Sequence, residues 1–132
     1  MELKEALETC AEMWYWMADN PGRSKITAMV ELELGHMENE CAMCEYAIHA
    51  MREHNSWSKN ELHMCYFCPM WPSHKWGREY ACQYSTASDY RKWRLARDYG
   101  EESLESEYAK SIADYATALL EDLNAEPERR KV

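Results

Sequence analysis

Apolar residues recur along this chain at alternating steps of three and four, the spacing that places them on one side of an α-helix. The first stripe predicts a helix. This helix is expected to end at the turn residues 19–22, because Pro removes a backbone donor and Gly accepts a positive φ. Ser24 is expected to cap a second helix that ends near Gly35. The first stripe consists of Leu3, Leu7, Cys10, Trp14 and Met17.

Three further helices follow from the same spacing and from residues typical of helix ends. The third is expected to run to about Glu53 with its stripe facing inward. Thr86 and Asp89 resemble a capping box for the fourth, which ends at Gly100. Ser103 is expected to cap the last helix, and Pro127 to stop it and leave residues 128–132 loose. The three stripes are Met37, Cys41, Cys44, Ile48 and Met51, then Tyr90, Trp93 and Ala96, then Leu104, Tyr108, Ile112, Tyr115, Leu119 and Leu123.

Residues 55–83 lack this periodicity, and no part of the chain alternates apolar and polar residues as a half-buried strand does. The sequence therefore predicts a mainly α fold, a small helical domain in which zinc pins an irregular segment. We expect one domain over residues 1–132, with N-terminal helices in 1–38, a cysteine segment in 39–84 and C-terminal helices in 85–132.

Four of the six cysteines form two C-x-x-C pairs, a spacing that favours a structural zinc site. Two such pairs close a tetrahedral shell of thiolates and exclude water from the metal. The predicted ligands are Cys41, Cys44, Cys65 and Cys68, with Cys82 as the alternative ligand and His63 or His74 as further replacements.

Other roles for the cysteines are open at this point. Cys41 and Cys44 would also suit plain packing on a helix face, because an unmodified Cys is often buried. A redox pair is less favoured, since no strand precedes either C-x-x-C. A disulfide framework is not expected in an intracellular chain. Cys10 lies in the first apolar stripe and is expected to be a small buried hydrophobe.

The chain carries 24 acidic and 15 basic residues, a formal net charge of −9, which argues against general binding to duplex DNA or to an anionic membrane. No apolar run approaches membrane-spanning length, and the first residues do not read as a secretory signal. We therefore expect a soluble protein of the cytoplasm.

Cations and aromatic rings interleave between residues 71 and 97, a mixture that stacks bases and pairs with phosphates. This pattern predicts a site for a nucleotide, a single-stranded nucleic acid or another small anionic ligand. The competing interpretation, which the acidic total favours, is that the rings pack in the core and the cations pair with acidic helices. The residues assigned to the ligand are Trp76, Arg78, Tyr90, Arg91, Trp93, Arg94 and Arg97.

The order of several motifs resembles a family of small cysteine-rich proteins encoded in bacteriophage genomes. Those proteins show W-x-W-[LM]-A-x-N-P-G-x-x-K, C-x-x-C, C-x-x-C-P and a fifth Cys before an aromatic-rich helix. This chain has WYWMADNPGRSK at 14–25, CAMCEYA at 41–47, CYFCP at 65–69, Cys82, and the pair Tyr90 and Trp93. The resemblance implies a phage accessory protein with a metal site, in the cytoplasm of the infected host cell, and it implies no reaction.

These observations favour a binding protein over an enzyme. The chain has no Gly-rich phosphate loop and no G-x-S-x-G motif, and four Cys ligands would close the coordination shell that a catalytic metal keeps open. The leading hypothesis is a protein that engages a host protein or sequesters a host molecule, with a counter-defence role. An acidic surface suits a basic partner or mimics nucleic acid. A helical stripe can also pair with its copy in a homodimer.

Overall fold

The computed structural model describes residues 2–35, 42–53, 70 and 88–130, and this part of the chain contains helices and no strand. The prediction of a mainly α fold is confirmed for these residues. The helices are α1 (Leu3–Asp19), α2 (Lys25–Glu31), α3 (Ala42–Glu53), α4 (Asp89–Asp98) and α5 (Glu102–Arg130).

Helices α1 and α5 form the centre of the fold and run antiparallel. The turn after α1 meets the start of α5, where the Gly22 N–H donates to Glu105 Oε1 at 2.8 Å. Earlier in α1, Tyr15 reaches Asp114, which lies further along α5. Helix α4 packs on α5, while α2 and α3 pack on α1. The core therefore lies between α1 and α5, with the shorter helices around it.

The stripe that predicted α1 is its buried side. Leu7, Cys10, Trp14 and Met17 are buried, and Leu3 packs against them at the edge of the core. Removal of such large side chains from water contributes about 1.5–3 kcal/mol each, which explains why the stripe sets the orientation of the helix. The expectation that Cys10 is a buried hydrophobe is confirmed.

The stripe predicted for α5 is only partly its buried side. Leu104 is 38% exposed, and Tyr108 and Tyr115 lie at the edges of the core. The buried positions of α5 are instead mostly small residues, and alanine lets neighbouring helix backbones approach closely. The buried positions of α5 are Glu105, Ala109, Ile112, Ala113 and Ala116.

Helix α3 ends at Glu53 as expected, but its inward side differs from the predicted stripe. The buried residues are Ala42, Met43 and Ala47, whereas Cys44 is only half-buried. The small side chains of the two alanines bring α3 close to α1. Cys44 therefore lies beside the inward face and not at its centre.

Serines cap α2 and α4. Ser24 Oγ accepts from the Thr27 N–H at 3.1 Å, which confirms the predicted cap of α2. The cap of α4 is Ser88, whose Oγ accepts from the Tyr90 N–H at 3.2 Å. The expected capping box, opened by Thr86, is therefore wrong as to the capping residue, and Thr86 itself lies outside the described residues.

The end of α4 is a Schellman motif built on glycine. The Glu101 N–H donates to the Ala96 carbonyl at 2.8 Å, and the Gly100 N–H donates to the Arg97 carbonyl at 3.1 Å. This pattern needs a left-handed residue just after the helix, and Gly100 has φ +70°. The predicted end at Gly100 is confirmed.

The end of α2 has the same hydrogen bonds but a different residue. The Leu34 N–H donates to the Met29 carbonyl at 3.0 Å, and the Glu33 N–H donates to the Val30 carbonyl at 3.2 Å. Glu33 occupies the left-handed position, with φ +54°. The helix therefore stops at Glu31, earlier than the expected end near Gly35, because the motif forms without glycine at this position.

Helix α5 differs from its prediction at both ends. It begins at Glu102, so Ser103 lies in the first turn and is not the cap. It continues through Pro127 to Arg130, beyond the expected stop. The helix continues although a proline inside a helix removes one backbone hydrogen bond and crowds the carbonyl four residues before it. The expectation of a loose tail is wrong for residues 128–130.

Candidate functional site

The predicted zinc ligands lie almost entirely outside the described residues. Cys44 is described, half-buried on α3, while Cys41, Cys65, Cys68 and the alternative ligand Cys82 are not. His63 and His74 are outside as well. Among residues 2–35, 42–53, 70 and 88–130, no three His, Cys, Asp or Glu side chains converge on a point where a metal could bind. The four-cysteine zinc site therefore stays a prediction.

Three rings form an aromatic junction, defined here as Trp14 of α1 with Tyr90 and Trp93 of α4. The Trp14 ring meets the Trp93 ring edge-on at 4.9 Å between centroids and the Tyr90 ring edge-on at 5.9 Å. No Cα of α1 comes within 8 Å of a Cα of α4, so direct contact between the two helices is made by side chains such as these rings. Such pairs contribute about 0.5–1.5 kcal/mol beyond their burial.

The turn after α1 is tied to both α4 and α5. Lys25 Nζ donates to the Tyr90 hydroxyl at 2.8 Å and lies 4.9 Å from the centre of its ring. Asn20 Nδ2 donates to the Trp16 carbonyl at 2.9 Å, and Gly22, with φ +86°, places its N–H on buried Glu105. The segment WYWMADNPGRSK is thus occupied by structural contacts at most of its polar positions.

The cations of α4 divide between packed and exposed positions. The Arg97 guanidinium lies 5.6 Å from the centre of the Trp93 ring, and Lys92 lies 5.9 Å from that of Tyr108. Arg91 is half-buried and Arg94 is exposed. The remaining residues assigned to an anionic ligand, Trp76 and Arg78, lie outside the described residues. Two of the four cations of α4 therefore lie over aromatic rings, Arg97 over a ring of α4 and Lys92 over a ring of α5.

Carboxylates collect on the solvent side of α1 and α5, and we call this surface the acidic face. On α1 the exposed positions recur every three or four residues opposite the buried stripe. On α5 the matching positions recur every seven residues, with Lys110 the cation among them. The acidic face consists of Glu5, Glu8, Glu12 and Asp19 of α1 and Glu107, Asp114 and Glu121 of α5, around Tyr15.

Tyr15 shows that the two rows of carboxylates belong to one surface. Its hydroxyl donates to Asp114 Oδ1 at 2.6 Å and lies 3.4 Å from Thr117 Oγ1. The hydrogen bond to Asp114 raises the pKa of Tyr15 above its usual 10.0, since it favours the protonated phenol; Thr117 opposes this, and burial and the charges of Asp114 and Glu121 add to it. The phenol thus lies within the field of carboxylates from the neighbouring helix.

A groove follows one side of α2, and we call it the α2 groove. It has a volume of about 350 Å³ and a mainly apolar lining. Ile26 and Val30, four residues apart, are 56% and 70% exposed, while Met29 between them is buried. The lining residues are Ile26, Met29, Val30, Glu33 and Gly35.

Neither surface was singled out by sequence reasoning. The row Glu5, Glu8, Glu12 and Asp19 has a readable helical spacing, and it lies opposite the apolar stripe that predicted α1. The α2 groove had no such signal, because the sequence indicates a helix through Ile26 and Val30 but not which of its sides is exposed. Their exposure depends on which side of α2 packs against α1.

Comparison with known proteins finds no matching family model, no matching curated protein and no matching solved structure. Among the described helices, none is both long enough and apolar enough to cross a membrane.

Proposed function

We propose that this chain is a non-enzymatic binding protein that engages a basic surface of another protein through the acidic face. The observation that carries the proposal is the concentration of seven exposed carboxylates on two adjacent helices. Surface carboxylates scattered over a protein would need no partner, but seven carboxylates against two exposed lysines, Lys4 and Lys110, give this surface a net negative field that favours a cationic partner.

The size of the acidic face suits a protein partner. From Glu5 to Asp19 the α1 row extends about 21 Å, at 1.5 Å per residue, and the α5 row runs beside it. Standard protein interfaces cover about 800 Å² on each partner, a patch of similar length. Carboxylates arranged in this way attract a basic partner from a distance and set its orientation more than they add affinity.

A nucleotide or single-strand binder that uses residues 71–97 is the alternative, and it stays a prediction. In the described part of this segment, the Tyr90 and Trp93 rings pack on Trp14, which leaves their faces little room to stack a base. Arg94 is the exposed cation of α4. This arrangement favours the acidic face as the binding surface.

A structural zinc ion bound by Cys41, Cys44, Cys65 and Cys68 is part of the proposal. It is supported by the two C-x-x-C pairs and by the position of Cys44, which suits a ligand at the edge of α3 better than a core residue. Structural zinc contributes on the order of 10 kcal/mol to small domains. Comparison of native and acid-denatured masses should show one zinc ion, lost in Cys44→Ser.

The resemblance to phage proteins supports a partner in an infected bacterial cell. The proposed target is then a basic host protein, or a host molecule that such a protein carries. The proposed role is counter-defence. The acidic face would occupy the partner's cationic surface and keep it from its normal ligand.

The experiment compares two variants of equal charge. Glu8→Gln, Glu12→Gln and Asp114→Asn neutralise the acidic face, whereas Glu53→Gln, Asp98→Asn and Glu101→Gln neutralise three exposed carboxylates elsewhere. The probe is a fluorescent oligolysine peptide, titrated at low and at physiological salt. We expect the face variant to lose about tenfold or more in affinity at low salt, and the control variant to lose little. Equal losses in both variants would show that only net charge matters.

A further inference from the structure

The α2 groove is an apolar surface without a partner in the described part of the chain. Ile26 and Val30 lie on one side of α2 and expose more than half of their side chains. Single exposed apolar residues are ordinary on protein surfaces, but an adjacent pair beside a groove is typical of an interaction site. The volume of about 350 Å³ is at the lower end of ligand sites and accommodates one or two side chains.

Glu33 is held at the edge of this groove against two local preferences. Its φ of +54° is in the left-handed region that favours glycine. It also follows the carboxyl end of a helix, where exposed carbonyls disfavour a negative charge. Gly100 occupies the equivalent position after α4, so the same chain uses glycine where only the turn is required.

We propose that the α2 groove binds the apolar side of a basic amphipathic segment of the partner protein, with Glu33 pairing with a Lys or Arg of that segment. The proposal rests on the proposed function, because it names the part of a basic partner that the chain grips. Ile26 and Val30, at i and i+4, match the spacing of apolar residues on one side of a partner helix.

Charge complementarity identifies the occupant as basic. The exposed charged residues at the end of α2 are Glu31 and Glu33, both acidic. A second copy of this chain would present the same acidic end and would bring two molecules of charge −9 together. An apolar segment with cationic flanks is not repelled by the acidic end of α2, and it does not bring two chains of like net charge together.

The probe for this proposal is a helical peptide of roughly four turns with Leu on one side and Lys on the other. Two matched peptides carry Glu in place of Lys, or Ser in place of Leu. Fluorescence anisotropy at physiological salt measures each dissociation constant. We expect the Leu and Lys peptide to bind, and the other two to bind at least about tenfold more weakly. If the Leu and Glu peptide bound as tightly as the Leu and Lys peptide, the proposal of a basic occupant would be overturned.

Substitutions at Glu33 separate its charge from its backbone. Glu33→Gly should raise the Tm by about 2–4 °C, because glycine fits the left-handed position, and should weaken peptide binding by about threefold. Glu33→Gln should weaken binding to the same extent and raise the Tm less than Glu33→Gly does, because it removes only the unfavourable charge at the helix end. If both variants bind the peptide as the unaltered chain does, Glu33 has no role in recognition.

A double variant distinguishes the groove from the acidic face. Ile26→Ser with Val30→Ser should weaken binding of the Leu and Lys peptide about tenfold, while oligolysine binding is unchanged. If the double variant binds the Leu and Lys peptide normally and only the acidic-face variant loses it, the groove inference is overturned and the proposed function stands. If oligolysine binding also fails to respond to the acidic-face variant, the proposed function is overturned as well.

Discussion

Trp14 and Tyr15 are neighbours in the chain, but they belong to regions of opposite character. Trp14 points into the aromatic junction, where its ring contacts Tyr90 and Trp93. Tyr15 points outward into the acidic face, where it donates to Asp114. One helix therefore supplies a buried contact that holds the fold and an exposed surface that carries charge.

The motif residues of this chain and its surface charges have different tasks. In the junction and the adjoining turn, Lys25, Asn20 and Gly22 each donate to a partner within the fold. On the acidic face, by contrast, Asp114 is the carboxylate that accepts a hydrogen bond from Tyr15. We therefore expect changes in the junction to act on stability and changes on the face to act on binding.

The largest effect is expected for Trp14→Ala. Removal of the ring leaves a cavity at the contact between α1 and α4, and comparable substitutions lower the free energy of unfolding by about 3–5 kcal/mol. Urea unfolding followed by circular dichroism measures the change. Tyr15→Ala is the matched control, with an expected loss below about 1 kcal/mol. Similar losses in the two variants would contradict the division of α1 into two regions.

A smaller loss of stability is expected for Gly22→Ala. The added Cβ would lie 3.8 Å from Glu102 Oε1, which is an ordinary contact, so the cost arises from φ +86°. We expect a decrease of about 1–2 kcal/mol in the free energy of unfolding. Gly100→Ala, also at a positive φ, should cost a similar amount, and oligolysine binding by the folded variants should be unchanged. If Gly22→Ala left the free energy of unfolding unchanged, the turn would not belong to the region that stabilises the fold.

Neutralisation of the acidic face should stabilise the fold slightly. In the variant with Glu8→Gln, Glu12→Gln and Asp114→Asn, we expect the relief of repulsion between the two rows to exceed the weakening of the hydrogen bond from Tyr15, so the free energy of unfolding should rise by less than about 1 kcal/mol at low salt. Thermal unfolding at low and high salt tests this, because screening should remove the difference. A marked loss of stability at either salt concentration would show that these carboxylates support the fold.

The smallest effect concerns the ionisation of Tyr15. Its pKa is raised in the folded chain, since the phenol donates to Asp114, so this bond adds stability that is fully present below pH 10 and is lost as the pH rises through the raised pKa. Ultraviolet titration of the chain against Tyr15→Phe isolates this group from the other tyrosines. Asp114→Asn should lower the pKa towards its usual value. A Tyr15 that titrates at or below 10.0 would contradict the hydrogen bond.

The sequence predicts α1 well and α5 less well for a physical reason. In α1 the largest apolar residues are also the buried ones, so their period reveals the inward side. In α5 the inward side holds Ala109, Ala113 and Ala116, whose small side chains give a weak hydrophobic signal. The larger residues of α5 lie beside this side, and a stripe drawn through them places exposed Leu104 in the core.

The candidate surfaces divide in the same way. The row of carboxylates on α1 follows from helical spacing alone, since it lies opposite the apolar stripe. Its meeting with α5 depends on tertiary packing, as does the exposure of Ile26 and Val30. The left-handed backbone of Glu33 breaks the preference for glycine, so no rule of helix ends predicts it. The zinc ligands stay a prediction from spacing.

The alanines of α5 also limit which substitutions this chain can accept as its sequence diverges. Ala109, Ala113 and Ala116 are buried in the core, and a larger side chain at any of them would force neighbouring helices apart. Exposed positions of both helices are under no such restriction. Distant homologues can therefore differ over most of their surface. The spacing of these three small residues is then a signal of homology that overall sequence identity would miss.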